Sequence, residues 1–321
     1  MNWISRWKKI GIKVKQIFKK QPLSNEETDF KNCPQCKKIF YKPDLISNSY
    51  ICECSFHFDL PPKLRLNSLF DSDYEIIQAP DNINPDPLNF EVTGGAREAY
   101  KYIDKIKKYK KITGQESALL CASGKISNLN ATVVCFNFKF GGGRFGPVEA
   151  EHFLKAANLA IEKKVDIWVV IYQSSGIDVH SGVTGLSGMT KSVIAMSEIK
   201  KAGIPTFAVA ARAVAGGTYA SSFFMHDFIL VESKCVENLL FSGKRVTANI
   251  LKGTDQIPED FGTASGVLKS GLADITLESR KELKETISKL AKIILKKAEL
   301  KITDEAHENP KDFKKTASTA S

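Results

Sequence analysis

The sequence predicts an α/β domain preceded by a short cysteine-bearing module. The apolar, strand-like runs ATVVCFNFKF and VDIWVVIY alternate with amphipathic segments such as VEAEHFLKAANLAIEKK, the order that builds a sheet covered by helices. Four of the seven cysteines fall between residues 33 and 54, ahead of that pattern. With 321 residues, 43% hydrophobic and 26% charged, the chain has ordinary globular composition and enough length for one large domain and a small appendage.

Residues 1–29 read as a basic amphipathic segment. Trp3, Trp7, Ile10, Val14 and Ile17 recur at helical intervals with Lys and Arg between them, which suits docking onto a subunit or adsorption to an anionic membrane. Docking is the favoured reading, and Gly11 weakens the helix either way.

Residues 30–60 form the cysteine module. Cys33-Pro-Gln-Cys36 and Cys52-Glu-Cys54 stand fifteen residues apart, enough for a strand-like hairpin that brings two sulfur pairs to one tetrahedral ion. Zinc suits four thiolates, being tetrahedral and redox-silent. The second pair is C-x-C, one residue tighter than usual, so its knuckle should be distorted. His57 is an alternative ligand to Cys54. Four protein ligands leave no open position for substrate, which makes the expected ion structural. Cys121, Cys135 and Cys235 lie singly and read as small core residues.

Residues 61–115 comprise the Pro-rich APDNINPDPLNF and a basic helix, AREAYKYIDKIKKYKKIT, ended by Gly114. Residues 116–302 hold the α/β pattern and close on an amphipathic helix carrying Leu283, Ile287, Leu290, Ile294 and Leu300. Residues 303–321 read as a polar tail.

Lys+Arg 46 against Asp+Glu 36 gives a net charge of +10, which favours polyanionic partners: CoA phosphates, nucleotides, nucleic acid or an acidic subunit. No apolar run is long enough to cross a bilayer and no signal-peptide block opens the chain, so a cytoplasmic protein is expected. The P-loop spacing is missing, and direct ATP or NAD binding is disfavoured, although Gly141, Gly143 and Gly146 stand at the Rossmann glycine spacing.

Three glycine-bearing turns carry the candidate chemistry: Phe140-Gly141-Gly142-Gly143-Arg144-Phe145-Gly146, Ser174-Ser175-Gly176, and Ala215-Gly216-Gly217. The second and third lie between a strand and a helix, where backbone N–H groups and a helix dipole face an anion. Such donors stabilise a carbonyl that takes up negative charge, although a Gly-Gly pair serves equally to end a strand tightly. A serine nucleophile at Ser174 or Ser175 with His180 is a weaker reading, since G-x-S-x-G is missing. His152, His180 and His226 are candidates for proton transfer, and Asp178 and Arg212 border the turns.

Taken in order, MNWISRW, CPQCKKIFYKPDL, DPLNF, KKITGQESALL, FGGGRFG and AGGTYASSFFMHDFILVES resemble the β-subunit family of bacterial acetyl-CoA carboxylase carboxyltransferases, over roughly residues 1–280. The resemblance implies a zinc ribbon on a crotonase-like ββα-superhelix domain, in an assembly of two α and two β subunits. It implies transfer of carboxylate from carboxybiotin, borne by a biotin carboxyl carrier protein that biotin carboxylase loads, to acetyl-CoA, giving malonyl-CoA for fatty-acid synthesis. Cys33, Cys36, Cys52 and Cys54 would hold zinc. Gly142, Gly143, Arg144 and Gly146 would contact substrate, and Ser175, Gly176, Gly216 and Gly217 would supply oxyanion N–H groups.

The chain departs from that pattern at the turns. The family's S-G-G-A-R appears as Ser174-Ser175-Gly176-Ile177-Asp178, and its T-D-P as Ala211-Arg212-Ala213, which suggests a compensating swap between Asp178 and Arg212. Two further readings follow: a specialised paralogue acting on another acyl-CoA, or a non-catalytic assembly or nucleic-acid-binding subunit.

Overall fold

A computed structural model describes residues 30–94, 98–234, 239–251 and 257–308. The predicted segment 1–29, Cys235 and the last part of the tail lie outside these residues. The chain divides into two compact units, one ending at Phe56 and one beginning at His57.

In the first unit β1 (Phe30–Asn32) pairs antiparallel with β2 (Ile39–Tyr41), which runs straight into α1 (Lys42–Ser47). The strand-like reading of this stretch therefore missed a short helix, started by Pro43 near its N-terminus, where a missing N–H costs nothing.

The second unit runs α2 (Pro62–Leu69), β3 (Glu75–Ile77), β4 (Glu91–Val92), β5 (Tyr100–Lys101), α3 (Tyr102–Thr113), β6 (Leu119–Ile126), β7 (Leu129–Phe136), α4 (Pro147–Glu162), β8 (Ile167–Ser174), α5 (Gly182–Lys201), β9 (Thr206–Ala215), α6 (Gly216–Ala220), β10 (Phe228–Glu232), β11 (Leu239–Leu240), α7 (Lys244–Ile250), α8 (Ala264–Lys269), β12 (Ile275–Leu277) and α9 (Leu283–Glu308). Its main sheet has the order β12-β10-β9-β8-β7-β6-β3, with β11 also on β9. From β7 to β12 neighbouring strands are parallel, whereas β6 is antiparallel to both β3 and β7. The α/β expectation holds.

The β6–β7 hairpin turns on Ser127 and Asn128, both left-handed at φ 50° and 67°, the geometry that matches the twist of the strands. Asp71 accepts both turn amides at 2.9 and 2.8 Å. Every residue of β8 is buried, as a central parallel strand requires. One core packs Phe153, Ala156, Ala157 and Ala160 of α4 onto Trp168 and Val170 of β8. The opposite face packs Leu66 and Leu69 of α2 and Leu283, Ile287 and Ala291 of α9 onto Val169 and Ile171. Each large side chain so buried contributes roughly 1.5–3 kcal/mol of transfer free energy, and Cys121 and Cys135 join these cores as expected.

α3 ends at Gly114, left-handed at φ 65°. At the other end of the chain α9 continues to Glu308, six residues into the stretch read as tail.

Candidate active site and metal centre

In the first unit the Sγ atoms of Cys33, Cys36, Cys52 and Cys54 all lie within 4.8 Å of one another. Three separations are 3.7 Å (Cys33–Cys54), 3.5 Å (Cys36–Cys52) and 3.3 Å (Cys52–Cys54). Four sulfurs about 2.3 Å from a tetrahedral zinc would stand about 3.8 Å apart, so the donor set fits that ion with small adjustments. Each cysteine pair lies in a turn: Lys37 N donates to Cys33 O at 2.9 Å and Ser55 N to Cys52 O at 2.8 Å. Lys37 and Ser55, at φ 63° and 66°, close the two knuckles, so the C-x-C pair still forms one. His57 belongs to the other unit; burial, then the charge of Arg280, pushes its pKa down to about 4.

In the second unit the three glycine turns leave the C-terminal ends of the adjacent parallel strands β7, β8 and β9, where α/β sheets place ligands. Gly141, Gly142 and Gly143 are successively left-handed, at φ 59°, 75° and 65°. A Cβ on Gly143 would stand 1.8 Å from Gln173 O, so only glycine lets this loop lie against the end of β8. Gly176, at φ 117°, is restricted by its backbone conformation, and a Cβ there would stand 3.0 Å from Ala215 O, 3.4 Å from Gly216 Cα and 3.5 Å from Gly217 N. The second and third turns therefore touch.

The four predicted oxyanion amides separate into two kinds. Ser175 N donates to Gly142 O at 2.8 Å, Gly176 N to Ser174 Oγ at 3.1 Å, and Gly216 N to Phe241 O at 3.0 Å; these three hold the turns together. Gly217 N lies in the first turn of α6, where amides have no intrahelical acceptor. The hydroxyls of Ser174 and Ser175 donate to Gly143 O at 2.6 Å and Gly142 O at 3.0 Å, not to His180, so the serine-nucleophile reading lacks its base. His152 contacts Ile77 O at 2.8 Å and His226 contacts Phe223 O at 3.1 Å, both buried and structural.

Arg144, expected to meet substrate, is instead buried and bound within the chain. Its guanidinium donates to Tyr102 Oη at 2.6 Å and lies 3.2 Å from Glu149 Oε2 and 3.3 Å from Asp178 Oδ2. Burial favours the neutral form, but Glu149, Tyr102 and Asp178 outweigh it and raise the Arg144 pKa. Asp178 also accepts from Tyr102 Oη at 2.8 Å, Ser181 Oγ at 2.5 Å and His180 Nδ1 at 3.0 Å. Burial would raise its pKa; Arg144 and these donors hold it below the ordinary value. Asp178 and Arg212 are not partners: Arg212 pairs with Asp59 and stacks 4.0 Å above Phe138.

Asp59 and Phe138 also line a cavity of about 670 Å³, with Lys63, Lys139, Asp73, Asn137 and Gln173 among its polar groups and Leu60, Ile112 and Leu120 among its apolar ones. Sequence reasoning missed this cavity, whose walls come from segments far apart in the chain. It also missed Glu149, although a glutamate three residues after Gly146 and ahead of an apolar run signals a helix start; its carboxylate takes Gly146 N at 3.0 Å and Ala118 N at 2.9 Å.

A model of the carboxyl transferase domain matches residues 102–320. The acetyl-coenzyme A carboxylase carboxyl transferase subunit beta of Pelagibacter ubique is 32% identical over 301 residues, covering 92% of this chain and 93% of that protein. The protein of the same description from Sulfurihydrogenibium is 32% identical over 277 residues, covering 86% and 94%. Among solved structures, transcarboxylase 12S with hydrolysed methylmalonyl-coenzyme A superposes with a TM-score of 0.56 at 20% identity, covering 72% of this chain and 41% of that one. A Pseudomonas malonate decarboxylase hetero-tetramer with malonate gives 0.53 at 17%, covering 73% and 81%. The last two show likeness of fold.

Proposed function

The chain belongs to the acetyl-CoA carboxylase carboxyl transferase β-subunit family, within the carboxyl transferase domain enzymes, and on that premise we propose that it moves a carboxyl group from carboxybiotin to acetyl-CoA, giving malonyl-CoA. The observation that carries the reading is the meeting of two glycine turns at the ends of β8 and β9, with the Gly217 amide in an uncapped first helical turn. In the reaction the ureido N–carboxylate bond of carboxybiotin breaks to release carbon dioxide, and a methyl C–H bond of the acetyl group breaks with its proton passing to the biotin left behind. The freed electron pair forms the new C–C bond to carbon dioxide, and the thioester oxygen carries the intervening enolate charge. A backbone donor preorganised toward that oxygen lowers the barrier by about 2.7–4 kcal/mol in comparable sites. Gly217 supplies that donor, while Ser175, Gly176 and Gly216 keep the turns in shape. The thioester's carrier occupies the 670 Å³ cavity, with Lys139 and Lys63 facing its phosphates and the apolar wall its pantetheine arm.

The partners of this reading are a carboxyltransferase α subunit in an α2β2 assembly, the biotin carboxyl carrier protein and biotin carboxylase. The four cysteines hold one structural zinc, which supplies no chemistry to the transfer. A second reading, another acyl-CoA as acceptor, rests on the turns 174–178 and 211–213, whose sequence departs from the pattern that the resemblance implies. The test is carboxyl transfer by the chain with and without the α subunit, using carboxybiotin with acetyl-CoA, propionyl-CoA or butyryl-CoA. Turnover with acetyl-CoA only when both subunits are present is expected; a well-formed complex that carboxylates only a longer acyl-CoA selects the second reading, and one that carboxylates none removes both.

A further inference from the structure

We propose that Arg144 and Asp178 are a pair of positioning residues that clamp the glycine loop 140–146 to the turn 174–178 and so set the shape of the oxyanion site. The proposal rests on the carboxyl-transfer reading and adds to it the device that holds the diverged turns.

The two backbone segments meet at Ser175 N, which donates to Gly142 O at 2.8 Å, and again at an isolated parallel bridge, Phe145 to Ile177. Phe145 N donates to Gly176 O at 3.0 Å, and Asp178 N to Phe145 O at 3.0 Å. Arg144 stands one residue before the bridge on one segment and Asp178 one residue after it on the other. Their side chains join at 3.3 Å, 5% and 2% exposed.

Each charge is anchored again on a helix. Arg144 meets Glu149 of α4 at 3.2 Å, and Asp178 takes the Ser181 hydroxyl at 2.5 Å just ahead of α5. Tyr102, first residue of α3, bridges the two, accepting from Arg144 at 2.6 Å and donating to Asp178 at 2.8 Å. Two irregular loops are thereby tied to three helices through five side chains, all buried. A buried ion pair is weak evidence for stability alone, because desolvation offsets most of the attraction, but removing one partner leaves a charge with no good alternative position. What the cluster secures is geometry. The negative charge at 178 is matched by the positive one at 144.

Asp178→Asn in the full chain tests this, with Asp227→Asn as control. Asp227 is a carboxylate paired with Lys200 at 3.0 Å, away from the turns. Hydrogen exchange is read at segments 140–146 and 174–178, and carboxyl transfer in the assembled complex gives kcat and KM. We expect exchange in those two segments to rise roughly tenfold or more in Asp178→Asn while the β7–β8 ladder keeps its protection, with kcat down roughly a hundredfold and KM within about threefold. Asp227→Asn should leave both segments and kcat unchanged. Tyr102→Phe removes one hydroxyl without a charge and should give a smaller effect of the same pattern, which decides the matter should Asp178→Asn not fold. Unchanged exchange in the two segments, or loosening spread evenly through the sheet as for a merely structural contact, overturns the proposal. An inactive wild-type complex would instead count against the carboxyl-transfer reading, and the exchange measurement would still judge the clamp.

Discussion

Gly143→Ala and Gly203→Ala form a matched pair that separates backbone strain from collision. Both glycines are left-handed, at φ 65° and 73°. A Cβ at Gly203 meets nothing within 4 Å, whereas at Gly143 it would stand 1.8 Å from Gln173 O. Left-handed backbone costs an alanine about 1–2 kcal/mol, partly offset by about 0.4–1 kcal/mol of lost unfolded-state freedom. Gly203→Ala should therefore lose about 1 kcal/mol, a fall in Tm of a few degrees for a domain of this size, with kcat untouched. At Gly143 the carbonyl of Gln173 must also retreat by about 1.2 Å to reach a tolerable contact of 3.0 Å. That carbonyl immediately precedes the turn carrying Ser175 and Gly176, and a displacement near 1 Å at a reacting centre costs about 100-fold in rate. Denaturant titration of both variants and carboxyl transfer in the assembled complex provide the readout. A Gly143→Ala enzyme with kcat within about threefold of wild type would refute the claim that this loop shapes the reacting centre.

Three further outcomes follow from the same structure. Zinc analysis should find one ion per chain and its loss in Cys54→Ser, since removing one of four thiolates opens a closed tetrahedral site; retention in that variant would mean another ligand completes it. Burial holds His57 and His226 at pKa values of about 4, below their ordinary 6.5, so on acidification the unfolded chain takes up these protons first. Stability should be flat above about pH 7, fall through pH 6.5 to 4 by up to about 2 kcal/mol per histidine at pH 5, and level off below; His226→Phe should remove about half of that slope in denaturant titrations across this range. Lys139→Gln should raise KM for acetyl-CoA about five- to twentyfold with kcat nearly unchanged, the pattern of lost uniform binding, and an unchanged KM would place the thioester's carrier elsewhere.

The strands and helices of the large domain were legible because each carries its period: VDIWVVIY is apolar throughout for a strand covered on both faces, and Gly114 marks a helix end. The helix after β2 was not, because KPDLIS is too short for a period to register. Among site residues the cysteine spacing sufficed to bring four sulfurs together, and the glycine turns do converge as strand-end positions. The roles within them were not readable. Whether an N–H is free depends on acceptors far along the chain, such as Phe241 O for Gly216. The resemblance assigns Arg144 to substrate because it makes the glycine-rich loop a substrate contact; its burial follows from Glu149, Tyr102 and Asp178, three partners no local pattern announces. The charge change at Asp178 invited pairing with Arg212, yet each has its own counterion.

That the three turns sit at the ends of β7, β8 and β9 has a kinetic consequence. Parallel neighbours cannot be joined by a hairpin, so each pairing closes a loop that contains an entire helix, and such pairings are slow to form. A ribosome that has released the chain only through Gly176 has made the glycine loop and the second turn but not Gly217. The oxyanion site thus comes into being late, when β9 joins the sheet, and a chain terminated before that strand would lack the Gly217 donor.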